Sequence, residues 1–262
     1  MKPRIFSPSK IIIRKDEISL AKAFVDYLEL SLIQDLSEEC LKPLGLATGR
    51  TMDPVYRILS SRLKCWDPNK LSKLLKIWRS FNLDEYVGLS VEHTSSFRSY
   101  MLRNLAIPIG LNPNKVHIPN AEATDPVAES ELYSAKLIKS GGIGLQILGL
   151  GLNGHIGFNE PPCSQFDKCR VVNLSTETRL QNKFSFGNNV SNVPIKAITL
   201  GLKEILDSQE IHLIVTGSSK SKILKKILAE PMSEKFPASW LGLHKQVFLW
   251  SDYSAINNYH KE

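Results

Sequence analysis

Residues 144–161 read GLQILGLGLNGHIGFNEP and contain the clearest strand of the chain, followed directly by a glycine-rich loop. Gly144 to Gly151 is largely apolar at both odd and even positions, which is typical of a strand buried on both faces of a parallel sheet. The loop after it carries His155 and Glu160 among several glycines. Because ligands bind beyond the carboxyl ends of parallel strands, this loop is the first place where we expect a functional site.

The segments around this strand alternate between helical and strand patterns. Helices are predicted over Asp16 to Leu36, Pro54 to Leu63, Val127 to Lys139, and from Lys220 to Leu228. Further strands are predicted over Leu44 to Thr48, Leu74 to Phe81, Ile211 to Thr216, and Gln246 to Trp250. This alternation predicts an α/β fold, in which residues 1–262 form a single domain with a mostly parallel, doubly wound (Rossmann-like) sheet and helices on both faces.

The composition excludes several classes of protein. The chain has 262 residues, of which 42% are hydrophobic and 23% charged, and this is a globular balance. No apolar run approaches the ~20 residues of a membrane helix, so a membrane partner is not expected. Lysine and arginine exceed the acidic residues by a net charge of +7. The basic residues are scattered and lack interleaved aromatics, so a nucleic-acid partner is not expected either.

The cysteines and histidines show no metal-binding spacing. Cys40, Cys65, Cys163 and Cys169 form no C-x-x-C pair, and no H-E-x-x-H segment occurs. The chain also lacks an aromatic or methionine cluster that suggests a cofactor, so neither a metal nor an organic cofactor is expected. A reduced, cytoplasmic protein is the simplest interpretation of the cysteines.

Two further strand ends carry residues suited to anions. Thr48, Gly49, Arg50 and Thr51 follow one predicted strand, and Thr216 to Lys220 follow another. Backbone N–H groups at the start of a helix, with hydroxyls and a cationic side chain, bind phosphate well. Each loop is also compatible with a plain capped turn, but two such loops at one sheet edge favour a phosphorylated substrate.

Two places have residues suited to proton transfer. Asp84 and Glu85 follow an apolar segment, where one carboxylate in a dry pocket can act as a general base or, alternatively, both can lie in a solvated turn. His155 has Asn153 and Glu160 nearby, and such neighbours can hold an imidazole in one tautomer. A purely structural histidine is the alternative that the density of unusual residues disfavours.

These residues, in this order, resemble the glucosamine-6-phosphate deaminase/isomerase family over nearly the whole chain. Gly151 to Pro161 is similar to the family's Gly-x-Asp-Gly-His-Ile-x-Phe-Asn-Glu-Pro loop, and Asp84-Glu85-Tyr86 to its Asp-Glu-Tyr segment. Ala197 to Gly201 and Pro237 to Ser239 also fit. The resemblance implies conversion of a 2-amino-2-deoxyhexose 6-phosphate to a ketohexose 6-phosphate with loss of ammonia, and it implies no cofactor.

The resemblance also implies roles for single residues. Asp84 would shuttle the proton at C2 of the sugar. His155, oriented by Asn153 and Glu160, would assist ring opening. The phosphate would be held by a set of loop residues, namely Thr48, Gly49, Arg50, Thr51 and Lys220.

Departures from the family pattern leave the substrate open. Asn153 stands where the family usually has Asp, and Phe184 stands at a phosphate-clamping Arg, with Lys183 beside it. The Leu-Asn-Gly-His version of the loop favours the galactosamine-6-phosphate branch, whose product is tagatose 6-phosphate. Glucosamine-6-phosphate deaminase, giving fructose 6-phosphate, is the first alternative. A 6-phosphogluconolactonase-like hydrolase and a catalytically weak sugar-phosphate sensor are further alternatives, and a homo-oligomer is left open.

Overall fold

The structure is a computed structural model in which residues 4–38 and 41–256 are described. The strands of this part are β1 (Lys10–Arg14), β2 (Leu44–Leu46), β3 (Ser80–Asn82), β4 (Asp84–Tyr86), β5 (Val116–His117), β6 (Leu145–Gly149), β7 (Arg170–Asn173), β8 (Lys196–Thr199), β9 (Glu210–Val215) and β10 (Val247–Asp252). Its helices are α1 (Glu17–Glu38), α2 (Asp53–Lys64), α3 (Pro68–Ile77), α4 (Phe97–Met101), α5 (Ile107–Ile109), α6 (Pro126–Lys139), α7 (Thr176–Asn182), α8 (Leu202–Leu206), α9 (Ser221–Ala229) and α10 (Tyr253–Ile256).

The main sheet of the described residues has seven strands in the order β1-β10-β9-β6-β2-β3-β5. Every neighbouring pair in it runs parallel. The predicted α/β fold with a mostly parallel sheet is therefore confirmed. Because the strands are parallel, the loops after β2, β6 and β9 emerge at the same edge of the sheet.

Helix α1 buries one face, as the spacing of its apolar residues predicts. Leu20, Phe24, Leu28 and Leu32 of α1 are all buried, since a spacing of four residues keeps side chains on one face of a helix. That face packs against β10 and α2 in the core.

The predicted strand over Leu74 to Phe81 is wrong. Helix α3 runs to Ile77, and only Ser80–Asn82 forms a strand. The side chain of Asp67 caps the helix by accepting the N–H groups of Asn69 and Lys70 at 3.0 and 3.1 Å. The Asp-Pro start of a helix outweighs the apolar run that follows it, because the cap satisfies two otherwise unpaired donors.

A second, three-stranded sheet is antiparallel, in the order β4-β8-β7. Two backbone bonds join it to the main sheet: Leu83 donates to Leu46 O at 2.9 Å, and Leu200 donates to Leu83 O at 2.7 Å. The chain thus passes from β3 into β4 beside the end of β2. Asp84 is placed at this junction in a strand, not in a turn.

No helix within residues 4–38 or 41–256 is both long enough and apolar enough to cross a bilayer. Cys65, Cys163 and Cys169 carry free thiols, and Cys40 lies outside the described residues.

Candidate active site

A pocket of about 160 Å³ lies at the edge of the main sheet where β2 and β6 end. Seven of the nine predicted site residues line it: Thr48, Gly49, Arg50, Thr51, Asp84, His155 and Lys220. Asn153 lies behind the imidazole of His155, with which it forms a hydrogen bond, and Glu160 lies further along the same loop. Segments that are up to 172 positions apart in the chain therefore meet at one cavity, as parallel topology predicts.

Asp84 presents a buried carboxylate to this pocket. The residue is 6% exposed, and its side chain forms no hydrogen bond with the described part of the chain. Burial, and secondarily the charge of Glu85, raise the pKa of the Asp84 carboxyl well above its usual range. A carboxylate without protein partners, held out of water, is a strong proton acceptor, which suits it to remove a proton from carbon.

Gly157 allows the glycine-rich loop to pass close to this carboxylate. Its φ is +58°, and a Cβ placed there would lie 3.0 Å from Thr199 Oγ1 and 3.5 Å from Asp84 Oδ2. The loop backbone therefore forms part of the wall around Asp84, and only glycine adopts this conformation without strain.

His155 is held in one tautomer by Asn153. The side-chain oxygen of Asn153 lies 2.6 Å from His155 Nδ1 and also accepts the backbone N–H of His155 at 3.2 Å. An amide oxygen can only accept, so Nδ1 carries the proton and Nε2 is left as a free acceptor. Burial lowers the pKa of His155 to about 4, although the charge of Glu160 opposes the shift. The imidazole is therefore neutral at pH 7 and able to take up a proton.

Glu160 binds the start of α7, although the resemblance implies that it orients His155. Its carboxylate accepts the backbone N–H of Ser175 at 3.1 Å, and Ser175 caps the start of α7. It influences His155 through charge, and the hydrogen-bond partner of the ring is Asn153. Glu160 therefore links the glycine-rich loop to α7, whose last residues, Gln181 and Asn182, line the pocket.

Arg50 and Lys220 place two cations in the wall of the pocket. They follow Gly49 and Gly217, whose φ values of +112° and +87° let two strand ends turn sharply into helical segments. Burial, and secondarily the nearby charge of Arg50, lower the pKa of Lys220 to about 8. Two unpaired cations that disfavour each other are suited to a dianion such as phosphate.

Most of the chain matches one known protein family. Residues 15–250 match the family described as glucosamine-6-phosphate isomerases/6-phosphogluconolactonase. The chain belongs to this family. The resemblance seen in the sequence is thereby confirmed, as is the prediction of an enzyme of the deaminase/isomerase class.

Family members differ in how closely they match. Glucosamine-6-phosphate deaminase of Clostridium botulinum strain Langeland is 39% identical over 224 residues, which cover 84% of this chain and 89% of the relative. The enzyme of the same name from Shouchella clausii is 38% identical over 82% of this chain and 85% of its own. A solved monomeric glucosamine-6-phosphate deaminase superposes with a TM-score of 0.84 at 33% identity, covering 94% of this chain and 98% of its own. The 6-phosphogluconolactonase from Trypanosoma cruzi has a TM-score of 0.78 at 17% identity, covers 99% and 100% of the two chains, and supports the fold alone.

Several pocket residues were missed by the sequence analysis, namely Phe97, Phe158, Gln181 and Asn182. The rings of Phe97 and Phe158 stack with centroids 5.8 Å apart. Phe158 lies in the glycine-rich loop that the sequence indicates, whereas nothing in the local sequence of Phe97, Gln181 or Asn182 indicates a site, since these three reach the pocket only through tertiary packing. Phe184, which stands where the family places a cation, is 67% exposed and does not line the pocket.

Glu85, beside the catalytic candidate Asp84, supports the pocket from behind. It is 1% exposed, and its carboxylate accepts backbone N–H groups from Phe97 at 3.1 Å, Arg98 at 2.9 Å and Tyr86 at 2.9 Å. Glu85 thereby fixes the first turn of α4, and with it the ring of Phe97 over the pocket. We interpret it as a positioning residue.

We expect Glu85→Gln to destabilise the protein and to raise the KM for substrate more than it lowers kcat. An amide nitrogen would face the N–H of Arg98, so at least one hydrogen bond to a charged group is lost, at about 1.5–3 kcal/mol. Urea unfolding and steady-state kinetics measure the two effects. Glu92→Gln, an exposed change of the same kind, is the control. Equal unfolding midpoints and equal KM values in the two variants would contradict the positioning role.

Proposed function

We propose that the protein converts glucosamine 6-phosphate and water to fructose 6-phosphate and ammonia. One observation carries the proposal: the unpartnered carboxylate of Asp84, the neutral imidazole of His155 and the cation pair Arg50 and Lys220 line one small pocket. The first two suit proton transfer at the sugar, and the pair suits its phosphate. Curated relatives named glucosamine-6-phosphate deaminase support the amino sugar.

The proposed reaction starts with the closed sugar. His155 Nε2 accepts the proton of the C1 hydroxyl and passes it to the ring oxygen, and the ring opens to the aldehyde. Asp84 then removes the proton from C2, and the C1 carbonyl becomes an enol. Return of a proton to C1 leaves a C=N bond at C2. Water adds at that carbon, ammonia leaves, and a ketone remains.

The choice between glucosamine and galactosamine rests on the relatives. The sequence pattern Leu152-Asn153-Gly154-His155 favours galactosamine 6-phosphate, with tagatose 6-phosphate as product. The relatives at 38–40% identity are named for glucosamine instead, and they favour the alternative. The two sugars differ only in the orientation of the C4 hydroxyl, which a loop motif does not specify.

The deciding experiment is an ammonia-release assay with both amino-sugar phosphates, accompanied by a hydrolysis assay with 6-phosphogluconolactone. We expect the glucosamine compound to give the larger kcat/KM. A larger value for the galactosamine compound would restore the earlier preference. Lactone hydrolysis without ammonia release would replace the proposal by the hydrolase alternative, and binding of sugar phosphate without turnover would replace it by the sensor.

We predict that Lys220→Ala lowers kcat/KM for the phosphorylated sugar roughly ten- to hundredfold, mainly through KM. A charge-assisted contact to phosphate contributes about 1.5–3 kcal/mol, and the variant removes it. Lys222→Ala, an exposed change two residues further along the chain in α9, is the matched control. Turnover of unphosphorylated glucosamine should not change. An equal loss on both sugars would show that Lys220 does not contact phosphate.

We also predict that the KM rises as the pH passes upward through about 8, the pKa to which burial lowers Lys220 in the free protein. The lysine is cationic below this pH and neutral above it, so the phosphate contact weakens on the alkaline side. KM is measured from pH 7 to 9 for the wild type and for Lys220→Arg, whose guanidinium stays charged throughout. The same rise in both proteins would assign the effect to another group.

A further inference from the structure

A groove of about 1010 Å³ lies on the other side of the phosphate-binding loops from the catalytic pocket. It shares Arg50, Thr51 and Lys220 with that pocket and then continues along α2. The proposed reaction uses only the shared end. The remaining length of the groove has no role in it.

Cationic side chains from three separate segments line this basic groove. Arg57 and Lys64 belong to α2, Arg103 to the helical segment after α4, and Lys220 to the loop after β9. The side chains of Arg50, Arg57 and Lys64 form no hydrogen bond or ion pair with any described residue. Of the two carboxylates along the groove, that of Asp53 accepts a hydrogen bond from Tyr100 at 2.6 Å. An excess of unpaired positive charge in a concave surface attracts anions.

The spacing of the cations suits a linear anion. Arg57 and Lys64 are seven residues apart on one helix face, which separates their Cα atoms by about 10 Å along the axis. Ser61 lies between them and offers a hydroxyl donor, whereas the hydroxyl of Ser60 donates to Asn104 O at 3.0 Å. Positive charge therefore extends from Lys220 and Arg50 outward along the helix.

The lining of the groove also limits the kind of anion. Its residues include no aromatic side chain on which a base could stack. The groove thus suits the phosphates of a ligand and not nucleobases, and α2, at 12 residues or about 18 Å, is short for a nucleic-acid footprint.

We infer that the basic groove binds a linear oligophosphate, such as the phosphate chain of a nucleoside triphosphate, with the terminal phosphate between Arg50 and Lys220. The rest of the chain lies along Arg57 and Lys64. Since the terminal position is shared with the catalytic pocket, the ligand excludes the phosphate of the sugar. This competition, which rests on the proposed function, makes the oligophosphate a competitive inhibitor of the deaminase reaction.

The test is calorimetric titration of the intact protein with inorganic phosphate, pyrophosphate and tripolyphosphate, at constant ionic strength and with EDTA present. We expect affinity to rise with chain length, with tripolyphosphate at least tenfold tighter than phosphate. Arg57→Gln/Lys64→Gln should weaken tripolyphosphate at least fivefold and leave inorganic phosphate unchanged. Lys22→Gln/Lys73→Gln removes two exposed charges outside the groove and is the matched control.

Each other outcome overturns a stated part of the inference. Equal losses in the two double variants would show that only net charge matters. ATP binding tenfold tighter than tripolyphosphate would show that the nucleoside is recognised, and tighter binding of a single-stranded oligonucleotide would indicate nucleic acid. The titration does not require enzymatic activity, so the two proposals can fail separately. If tripolyphosphate binds as expected but no ammonia is released, the inference about the groove stands and the proposed deaminase function is wrong. If ammonia is released but affinity does not depend on chain length, the deaminase function stands and the inference about the groove is wrong.

Discussion

Asp84→Asn should lower kcat by about 10²- to 10⁴-fold, the usual contribution of a general base, while KM changes little. The amide keeps the shape of the side chain and can still donate to the sugar, but it cannot accept a proton from C2. Solvent deuterium exchange provides a direct measurement. Label should enter C2 of recovered substrate or C1 of the ketose with the wild type, and far more slowly with the variant.

The stability of the same variant is a second readout. Because burial raises the pKa of Asp84, its ionisation opposes folding, and this penalty grows as the pH rises through the raised value. Asp84→Asn should therefore melt no lower than the wild type at pH 8. Asp207→Asn, an exposed change of the same kind, controls for the loss of one charge. Near-full turnover by Asp84→Asn would place the base elsewhere, with Glu160 the next candidate because the Glu85 carboxylate is committed to α4.

Gly151→Ala should reduce kcat about 10²-fold by displacing a residue that is not itself mutated. A Cβ at Gly151 would lie 2.3–2.4 Å from three ring atoms of His155, which is far inside van der Waals contact. The ring has to move by about an ångström, and a misplacement of that size costs about 10²-fold in rate. The assay is ammonia release, with an NMR titration of His155 to follow its environment.

Gly149→Ala is the matched control for this prediction. A Cβ at Gly149 meets only Met52 Cε at 3.7 Å, an ordinary contact, so the variant adds the same methyl group at the end of β6, two residues before Gly151, without a clash. Its activity should stay close to that of the wild type. Equal activity of the two variants would mean that the His155 ring is not confined by the loop backbone.

The segments around the site differ in how far their sequence predicts them. Helix α1 and strand β6 can be predicted from the spacing of apolar residues alone, because the apolar side chains of each are buried in the core. The run before β3 is ambiguous, because Leu74 and Leu75 fit a strand or a helix, and the cap at Asp67 decides for the helix. Substrate choice depends on the orientation of one hydroxyl, and the relatives favour the assignment that the loop motif disfavoured.

By itself, the sequence determined that strands and helices alternate in a mostly parallel α/β fold, and it pointed to the loops in which the chemistry would lie. Those features are local: period, glycine and capping signals act over a few residues, and parallel strands then bring the ends of β2, β6 and β9 to one edge. Only the tertiary structure decided that Asp84 enters a second sheet, that Phe97 lines the pocket, and that Glu160 contacts Ser175 at the start of α7. These placements depend on contacts between distant segments, such as the pairing of Asp84 with Thr199, which no local pattern encodes.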